Sequence, residues 1–304
     1  MFAPTRDLCS IIEAIGEPPA LTHTTMSGAQ VVRRLQRDQP DGRLAEPDRF
    51  RLVSIWREED EIICLSAGNF LTIFEQLHLA PASLYLVHRN CYGLHHFETP
   101  QSGRTFFIGT IMYALIWSHG GHHSSTNALL LLRTGCGLKS GSEVLDELVS
   151  ILRTYISQSH TPHYLFFVAS LQISRFVDQN IQLQLRDIRT LEGRTGHGAW
   201  TTGNHRQDTV KDFTRYSKAA GGSVVILANQ VRHADIAQSL VSFVRDEYTS
   251  DSRRIRSTTS FNIQSELTTI ERLITSQRAY IAYLQERAKV LSTVVCDPLH
   301  PIGA

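Results

Sequence analysis

One stretch near the C-terminus decides the fold, the sequence IQSELTTIERLITSQRAYIAYLQERAKVL at 263–291. Its apolar residues recur in alternating steps of four and three, with Gln277 in one polar slot, at Ile263, Leu267, Ile270, Ile274, Ile281, Leu284, Ala288 and Leu291. A mean spacing of 3.5 residues is typical of a narrow apolar seam along one helix. Because neither Pro nor Gly interrupts the stretch, we predict a single stalk-like helix over 261–292.

The seam of this helix requires a covering partner. The residues between the seam positions form a solvated outer face that includes Glu266, Glu271, Arg272, Arg278, Gln285, Glu286, Arg287 and Lys289. Two sources of a partner remain open. One is another protein chain, and the other is an intramolecular bundle made with further long helices of the same chain.

Two more long helices are predicted upstream of this stretch. Between His163 and Leu191, a rhythm of threes and fours runs through Phe166, Ala169, Ile173, Phe176, Asn180 and Leu183, and Gly193 and Gly196 end the helix. The segment 210–248 is also predicted to be helical, with Gly221 and Gly222 as a weak point. The long-helix domain therefore covers residues 161–304.

The first half of the chain alternates predicted strands and helices. FRLVSIW at 50–56 is predicted to be a strand, and Ile62–Leu65 a second. A helix follows with Phe70, Ile73, Phe74 and Leu77 on one face, capped by Ser66 or Asn69, and Ser83–His88 begins a short helix. Two apolar runs at 105–118 and 127–133 predict a buried hairpin.

These elements predict an α/β, or α+β, fold in which an N-terminal sandwich-like domain at 46–160 precedes a bundle of long helices. A short helix is expected at 30–36. Residues 1–45 are treated as a separate N-terminal segment whose order the sequence does not establish. A second helix of the first domain is expected at 143–157, capped by Ser142.

Composition excludes several classes of protein. The 304 residues carry a formal net charge of +1 and 42% hydrophobic residues, which argues against both disorder and a nucleic-acid binder. Five widely spaced cysteines without a CxxC pair predict free thiols in a reducing compartment, hence the cytoplasm. The longest apolar run, FFIGTIMYALIW at 106–117, is too short to span a membrane, and no secretory signal is recognised.

A histidine-rich turn is the strongest metal candidate in the sequence. His119, His122 and His123 lie in HGGHHSST, and His95 and His96 are the nearest further imidazoles. Imidazole binds zinc, but this turn has no Cys or carboxylate at a supporting offset. An exposed hairpin turn explains it equally well, so whether these histidines bind metal stays open.

The remaining motifs do not define a site. GRTGHG at 193–198 lacks the Lys and Ser/Thr of a phosphate loop, and AAGGSVVILANQ at 219–230 lacks the GxGxxG order of a dinucleotide fold. The acidic run at 58–61 is interpreted as a solvated loop, and Arg253, Arg254 and Arg256 as a basic connector. No GxSxG or HExxH occurs. We therefore assign no catalytic, cofactor-binding or metal-binding residue.

The order of these parts resembles the cytosolic region of fungal CorA-like divalent-cation transporters. The resemblance is carried by LSAGNFLTIFEQLHLAPASLYLVH at 65–88, the hairpin YALIWS and NALLLL, IRTLEGRTGHGAW at 188–200, and the stalk-like helix at 263–291. It implies a cytosolic domain for which Mg²⁺ is a regulatory ligand. The Gly-Met-Asn pore motif of that family does not occur in this sequence, so no pore residue is assigned.

The leading hypothesis is a non-enzymatic regulatory or interaction protein of the cytoplasm. It would associate with itself or with CorA-like relatives through helix 263–291, and would reach a membrane only through such a partner. One alternative is a truncated gene model of a membrane magnesium transporter. Another is an enzyme whose site is of an unrecognised type, assembled around the histidines between 95 and 123.

Overall fold

The architecture is that of a computed structural model that describes most of the chain. The described residues are 2–3, 7–15, 19–37, 49–58, 62–99, 103–119, 125–134, 140–196, 210–251 and 263–296. They divide into two compact units, Met1–Ala169 and Ser170–Ala304. The first contains a mixed β-sheet and the second contains long helices, in agreement with the predicted fold class.

The first unit is built on eight strands. These are β1 (Leu8–Ile15), β2 (Ala20–Ser27), β3 (Phe50–Glu58), β4 (Ile62–Ile63), β5 (Gly93–Thr99), β6 (Gly103–Gly109), β7 (Tyr113–His119) and β8 (Thr126–Arg133). The order across the sheet is β2-β1-β3-β8-β7-β6-β5, and β4 pairs with β3. Strands β3 and β8 are parallel, with Phe50 in register with Thr126, and the other neighbours are antiparallel.

Helices cover both faces of this sheet. On one face α1 (Gly28–Arg37), α2 (Ala67–Gln76) and α3 (Ser83–His88) enclose a core in which Val53, Ile116 and Leu129 are fully buried. On the other face lie α4 (Gly141–Thr154) and the beginning of α5 (Tyr164–Thr195), where Phe166 contacts the rings of Phe106 and Trp117 edge-on at 4.8 Å. Strands buried on both faces explain the continuous apolar runs in the sequence.

Local signals determine several of these boundaries. The Ser66 side chain accepts a hydrogen bond from the Asn69 amide at the start of α2, so Ser66 is the cap of this helix. Helix α4 begins at a capping box in which Ser140 and Glu143 satisfy each other's backbone amides, so Ser140 replaces the predicted Ser142. Gly196, at φ 76°, follows the last residue of α5 as predicted, whereas Gly193 lies within the helix.

The N-terminal segment and the hairpin differ from prediction. Strands β1 and β2 and helix α1 belong to the sheet unit, whereas 1–45 was predicted to be a separate N-terminal segment. The run at 105–118, predicted to be one strand, is two strands that reverse at Thr110, whose hydroxyl accepts hydrogen bonds from the amides of Met112 and Tyr113. The hairpin of β7 and β8 is present as predicted.

The second unit contains three long helices, α5 from Ser170 onward, α6 (Val210–Asp251) and α7 (Ile263–Cys296). Helices α6 and α7 are antiparallel, since Arg245 pairs with Glu271 and Asp235 with Arg278. Helices α5 and α7 run in the same direction, because Ser174 contacts Gln277 and Glu192 pairs with Arg287. The arrangement is a three-helix bundle. Helix α6 continues through Gly221 and Gly222 without a break.

Candidate interaction surface

The seam of α7 is covered within the chain. The eight seam residues from 267 to 291 are each 4% exposed or less, namely Leu267, Ile270, Ile274, Gln277, Ile281, Leu284, Ala288 and Leu291. The seam was predicted correctly as a contact surface, but its partners are α5 and α6 of the same molecule. A second chain therefore has no access to the seam in this fold, and the seam prediction of an intermolecular contact is corrected to an intramolecular one.

Helix α6 supplies a matching ladder that sequence reasoning missed. Nine of its buried positions follow steps of four and three, at Tyr216, Ala220, Ser223, Leu227, Gln230, Ala234, Ala237, Val241 and Val244. Small and polar residues occupy much of this ladder, so hydrophobicity alone did not reveal it. The 3.5-residue period itself was the available signal. On α5, the predicted Leu183 is only half-buried, and the buried residues around it are Ile181, Gln184, Leu185 and Ile188.

Ion pairs border the seam on both sides. Arg245 of α6 donates two hydrogen bonds to the Glu271 carboxylate, and Arg287 donates two to Glu192 of α5. The hydrogen bond from Arg245 holds the pKa of Glu271 below its usual value. Several charges predicted to face solvent thus fix the helices in register. Because the Arg245–Glu271 pair is partly exposed, it contributes little stability, roughly 0 to 1 kcal/mol.

A second face of α7 remains exposed. Leu273, Tyr283 and Val290 are 38%, 53% and 59% exposed, and the rings of Tyr280 and Tyr283 stack at 5.9 Å. The Arg287 guanidinium lies 5.3 Å from the Tyr283 ring centroid, which holds this aromatic side chain in place. Leu273, Tyr280, Tyr283 and Val290 are separated by steps of seven, three and seven, so they share one side of the helix. We call these four residues the outer stripe.

The candidate histidines that the structure describes do not converge on a metal site. His119 lies at the end of β7 with Nδ1 2.9 Å from the Thr126 hydroxyl, and its register partner on β6 is Arg104. The Nε2 atom of His95, on the edge strand β5, is 3.3 Å from the Tyr92 carbonyl oxygen. No group of three or more His, Cys, Asp or Glu able to hold a metal exists in the described part of the chain. His122 and His123 lie outside the described residues.

The other motifs are placed as follows. Helix α6 includes the whole of AAGGSVVILANQ, which excludes a glycine-led strand there. In GRTGHG, residues 193–195 form the end of α5, Gly196 follows it, and the remainder lies outside the described residues, as do the acidic residues 59–61 and Arg253, Arg254 and Arg256. Cys9 is 1% exposed, and burial, with Asp7 nearby, raises the pKa of its thiol to about 12. This thiol is therefore not a nucleophile at neutral pH.

The long helices of the second unit are amphipathic. Within the residues that the structure describes, none of the helices is both long enough and apolar enough to cross a membrane. Buried polar residues such as Gln172, Asn180 and Gln277 interrupt their apolar faces. These faces pack against protein in a bundle.

Solved structures that share this fold include two whose descriptions are informative. One is described as the structure of the full-length CmaX protein, with a TM-score of 0.54, 12% identity, and coverage of 96% of this chain and 77% of that one. The other is the soluble domain of CorA from Methanocaldococcus jannaschii, with a TM-score of 0.51, 8% identity, and coverage of 95% and 96%. No family model matches the sequence, and no curated protein is significantly similar to it. The likeness therefore concerns the fold.

Proposed function

We propose that this chain is a non-enzymatic regulatory or interaction protein related to the cytosolic domain of CorA-like transporters. The observation that carries the proposal is the exposed outer stripe of α7, on a fold shared with the soluble domain of CorA. We place the protein in the cytoplasm, where a partner brings it to a membrane. The resemblance supports Mg²⁺ as a regulatory ligand of the assembly.

A second copy of the chain is the partner that the outer stripe favours. Large apolar and aromatic side chains such as Tyr283 are enriched at the centres of interfaces. Charges of both signs border this stripe, since Glu286 and Lys289 are 70% and 58% exposed. These two side chains form a salt bridge of 2.7 Å within one chain, and antiparallel packing of two copies of α7 would bring each lysine near the glutamate of the other copy as well. The other possible occupant, a CorA-like relative, is an outcome of the test.

Sedimentation velocity over a micromolar concentration series tests this proposal. We expect the wild type to associate and the double variant Tyr283→Ser/Val290→Ser to remain monomeric at the same concentrations. The matched control is Tyr85→Ser/Leu71→Ser, which removes two exposed apolar side chains of similar exposure from α3 and α2. A wild type that stays monomeric at high micromolar concentration, and that binds no CorA-like relative, would refute the proposal. Repeating the series with Mg²⁺ and with a chelator tests the regulatory cation.

A second candidate function is the cytosolic portion of a divalent-cation transporter. The observation that favours it is that the chain covers 77% of a full-length neighbour, so that neighbour has further residues. Sequencing the 3′ end of the native transcript tests this. Two apolar segments joined by Gly-Met-Asn would establish a transporter, and a stop after Ala304 would favour the interaction protein.

A third candidate function is an enzyme of unrecognised type. Measuring the zinc content of the purified protein tests it. Stoichiometric zinc in the purified protein, lost in His119→Ala/His122→Ala, would contradict the non-enzymatic proposal. We expect no such metal. The Nδ1 atom of His119 is hydrogen-bonded to the Thr126 hydroxyl, and the register partner of His119 on β6 is the positively charged Arg104, which disfavours a bound cation.

A further inference from the structure

A basic cavity lies at the edge of the sheet, far along the sequence from the outer stripe. Its volume is about 790 Å³, and it is bounded by Thr24 and Thr25 of the edge strand β2, by Arg33, Arg34 and Arg37 of α1, and by Arg49. A cavity of this size falls within the range of small-molecule sites, roughly 300 to 1,000 Å³. No role has been assigned to it above.

One buried carboxylate holds part of this arginine cluster in position. Glu13 is 1% exposed and accepts hydrogen bonds from Arg34 at 2.5 Å, Arg49 at 2.7 Å and Arg51 at 2.8 Å. Burial alone would raise the pKa of Glu13, but the hydrogen bond from Arg51 and the charges of Arg51, Arg49 and Arg34 outweigh it and lower the pKa. Glu13 is therefore ionised at neutral pH and orients the guanidinium groups of Arg34 and Arg49 beside the cavity.

The cavity lining carries two arginines beyond those that Glu13 holds. Arg33 and Arg37 also line the cavity, one helical turn apart on α1, and neither makes an ion pair within the part of the chain that the structure describes. Like charges four residues apart on a helix repel each other. Arg37 lies in the last turn of α1, where a positive charge interacts favourably with the helix dipole. The helix dipole does not explain why Arg33 and Arg49 line the same cavity.

The chemistry of the lining indicates the class of ligand. Guanidinium groups bind phosphate oxygens through paired hydrogen bonds, and the Thr24 hydroxyl is a further polar group at the wall. The described lining residues include no aromatic side chain on which a nucleobase would stack. The volume exceeds that of a single phosphate. The favoured ligand is therefore a compact group that carries several phosphates.

We propose that the cavity between β2 and α1 binds a multiply phosphorylated anion through Arg33, Arg34, Arg37 and Arg49. This site is independent of the outer stripe and does not rest on the proposed function. The ligand is either a free polyphosphate compound or the phosphorylated headgroup of a lipid, which present the same chemistry to the arginines.

Calorimetric titration with tripolyphosphate at low ionic strength tests the site. We expect the Arg33→Gln/Arg37→Gln variant to bind at least about tenfold more weakly than the wild type, because each charged hydrogen bond to phosphate contributes substantially to affinity. The matched control is Arg153→Gln/Arg189→Gln, which removes the same charge at exposed positions elsewhere. Arg33 and Arg37 are themselves exposed, so the variant retains its fold, which the melting temperature verifies.

Vesicle sedimentation separates the two sources of phosphate. Binding to vesicles with phosphatidylinositol 4,5-bisphosphate, but not to tripolyphosphate, would identify a lipid headgroup, and the reverse would identify a free anion. Either result supports the proposal if Arg33→Gln/Arg37→Gln abolishes it. The proposal is overturned if the wild type binds neither probe, if the variant binds as the wild type does, or if the control loses as much affinity.

Discussion

The interiors of the two units differ in the polar groups that they bury. Among the described residues, the sheet unit buries the charged side chains of Glu13, Arg51, Arg57 and Arg133 but no Asn or Gln. The described residues of the helical unit show the reverse, with no buried Asp, Glu, Lys or Arg but five buried amides, Gln172, Asn180, Gln184, Gln230 and Gln277. The two units thus bury different kinds of polar group, charged side chains in the sheet unit and amides in the helical unit.

Strand register explains the Glu13–Arg51 pair, and helix carbonyls accept hydrogen bonds from two of the five amides. Glu13 and Arg51 are direct register partners on β1 and β3, so pairing of the strands brings opposite charges together. In the bundle, the Asn180 amide donates to the Phe176 carbonyl at 2.8 Å, and the Gln277 amide donates to the Ser174 carbonyl at 2.9 Å. A helical carbonyl oxygen retains a second lone pair for such a bond. A buried amide of this kind can fix the register of neighbouring helices without a buried charge.

The largest effect is expected in the apolar part of the sheet unit. Trp117 is fully buried and contacts Phe106 and Phe166, so Trp117→Ala should destabilise the protein by about 3 to 5 kcal/mol. Chemical denaturation followed by circular dichroism measures this change. The control Tyr85→Ala removes an exposed ring and should cost under about 0.5 kcal/mol. Equal losses in the two variants would show that Trp117 is not in a packed core.

The buried charge gives a somewhat smaller effect that depends on pH. Glu13→Gln leaves Arg51 without its carboxylate and should cost about 3 kcal/mol at neutral pH, the low end for a buried pair because Arg34 is partly exposed. The pKa of Glu13 is lowered, so its contribution exists above the unfolded pKa and disappears as pH falls through the folded pKa. The stability difference between wild type and variant should therefore shrink as the solution becomes acidic. A difference that is constant with pH would contradict this.

The two sides of α7 should respond unequally to truncation. Ile281 is fully buried in the seam, and Ile281→Ala should cost about 2 to 4 kcal/mol. Tyr283 lies on the outer stripe, so Tyr283→Ala should lower the free energy of unfolding by less than about 1 kcal/mol in dilute solution. Urea denaturation at low protein concentration compares them. A larger loss of stability for Tyr283→Ala than for Ile281→Ala would contradict the assignment of Ile281 to the buried face of α7.

The smallest effect is expected for the amide at the centre of the bundle. In Gln277→Leu the hydrogen bond to Ser174 is exchanged for an apolar contact, so the free energy of unfolding should change by no more than about 1 kcal/mol in either direction. Loss of the amide should instead broaden the range of helix registers, seen as poorer dispersion in amide NMR spectra. Unchanged spectra would show that Gln277 does not specify register.

The parts of the fold that were predictable are those with local signals. Strand β3, helices α2 and α3, the β7–β8 hairpin and the three long helices follow from periodicity and capping within short windows. Strand β2 has the sequence ALTHTTMS, which is largely exposed and lacks apolar alternation, so nothing marked it as a strand. The split between β6 and β7 depends on the Thr110 hydroxyl, at a turn without proline.

The surfaces were harder to predict than the elements. The seam was recognised, yet its covering ladder on α6 was missed because alanine, serine and glutamine occupy many of its positions. The basic cavity draws Thr24, Arg33 and Arg49 from three separate segments, and only the pairing of β1 with β2 and β3 brings them together. Non-local pairing of this kind has no signature within a sequence window.

The parallel contact between β3 and β8 also has a kinetic consequence. During synthesis β1, β2 and β3 emerge long before β8. Until β8 is made, one edge of β3 is unpaired, and apolar residues of this strand such as Leu52 and Val53 lack part of their packing. Closing such a long loop is an entropically costly step that slows folding. The nascent chain therefore passes through a period in which an unpaired, hydrophobic strand edge is available to the wrong partner, and chaperones that shield such edges should raise the yield of this protein.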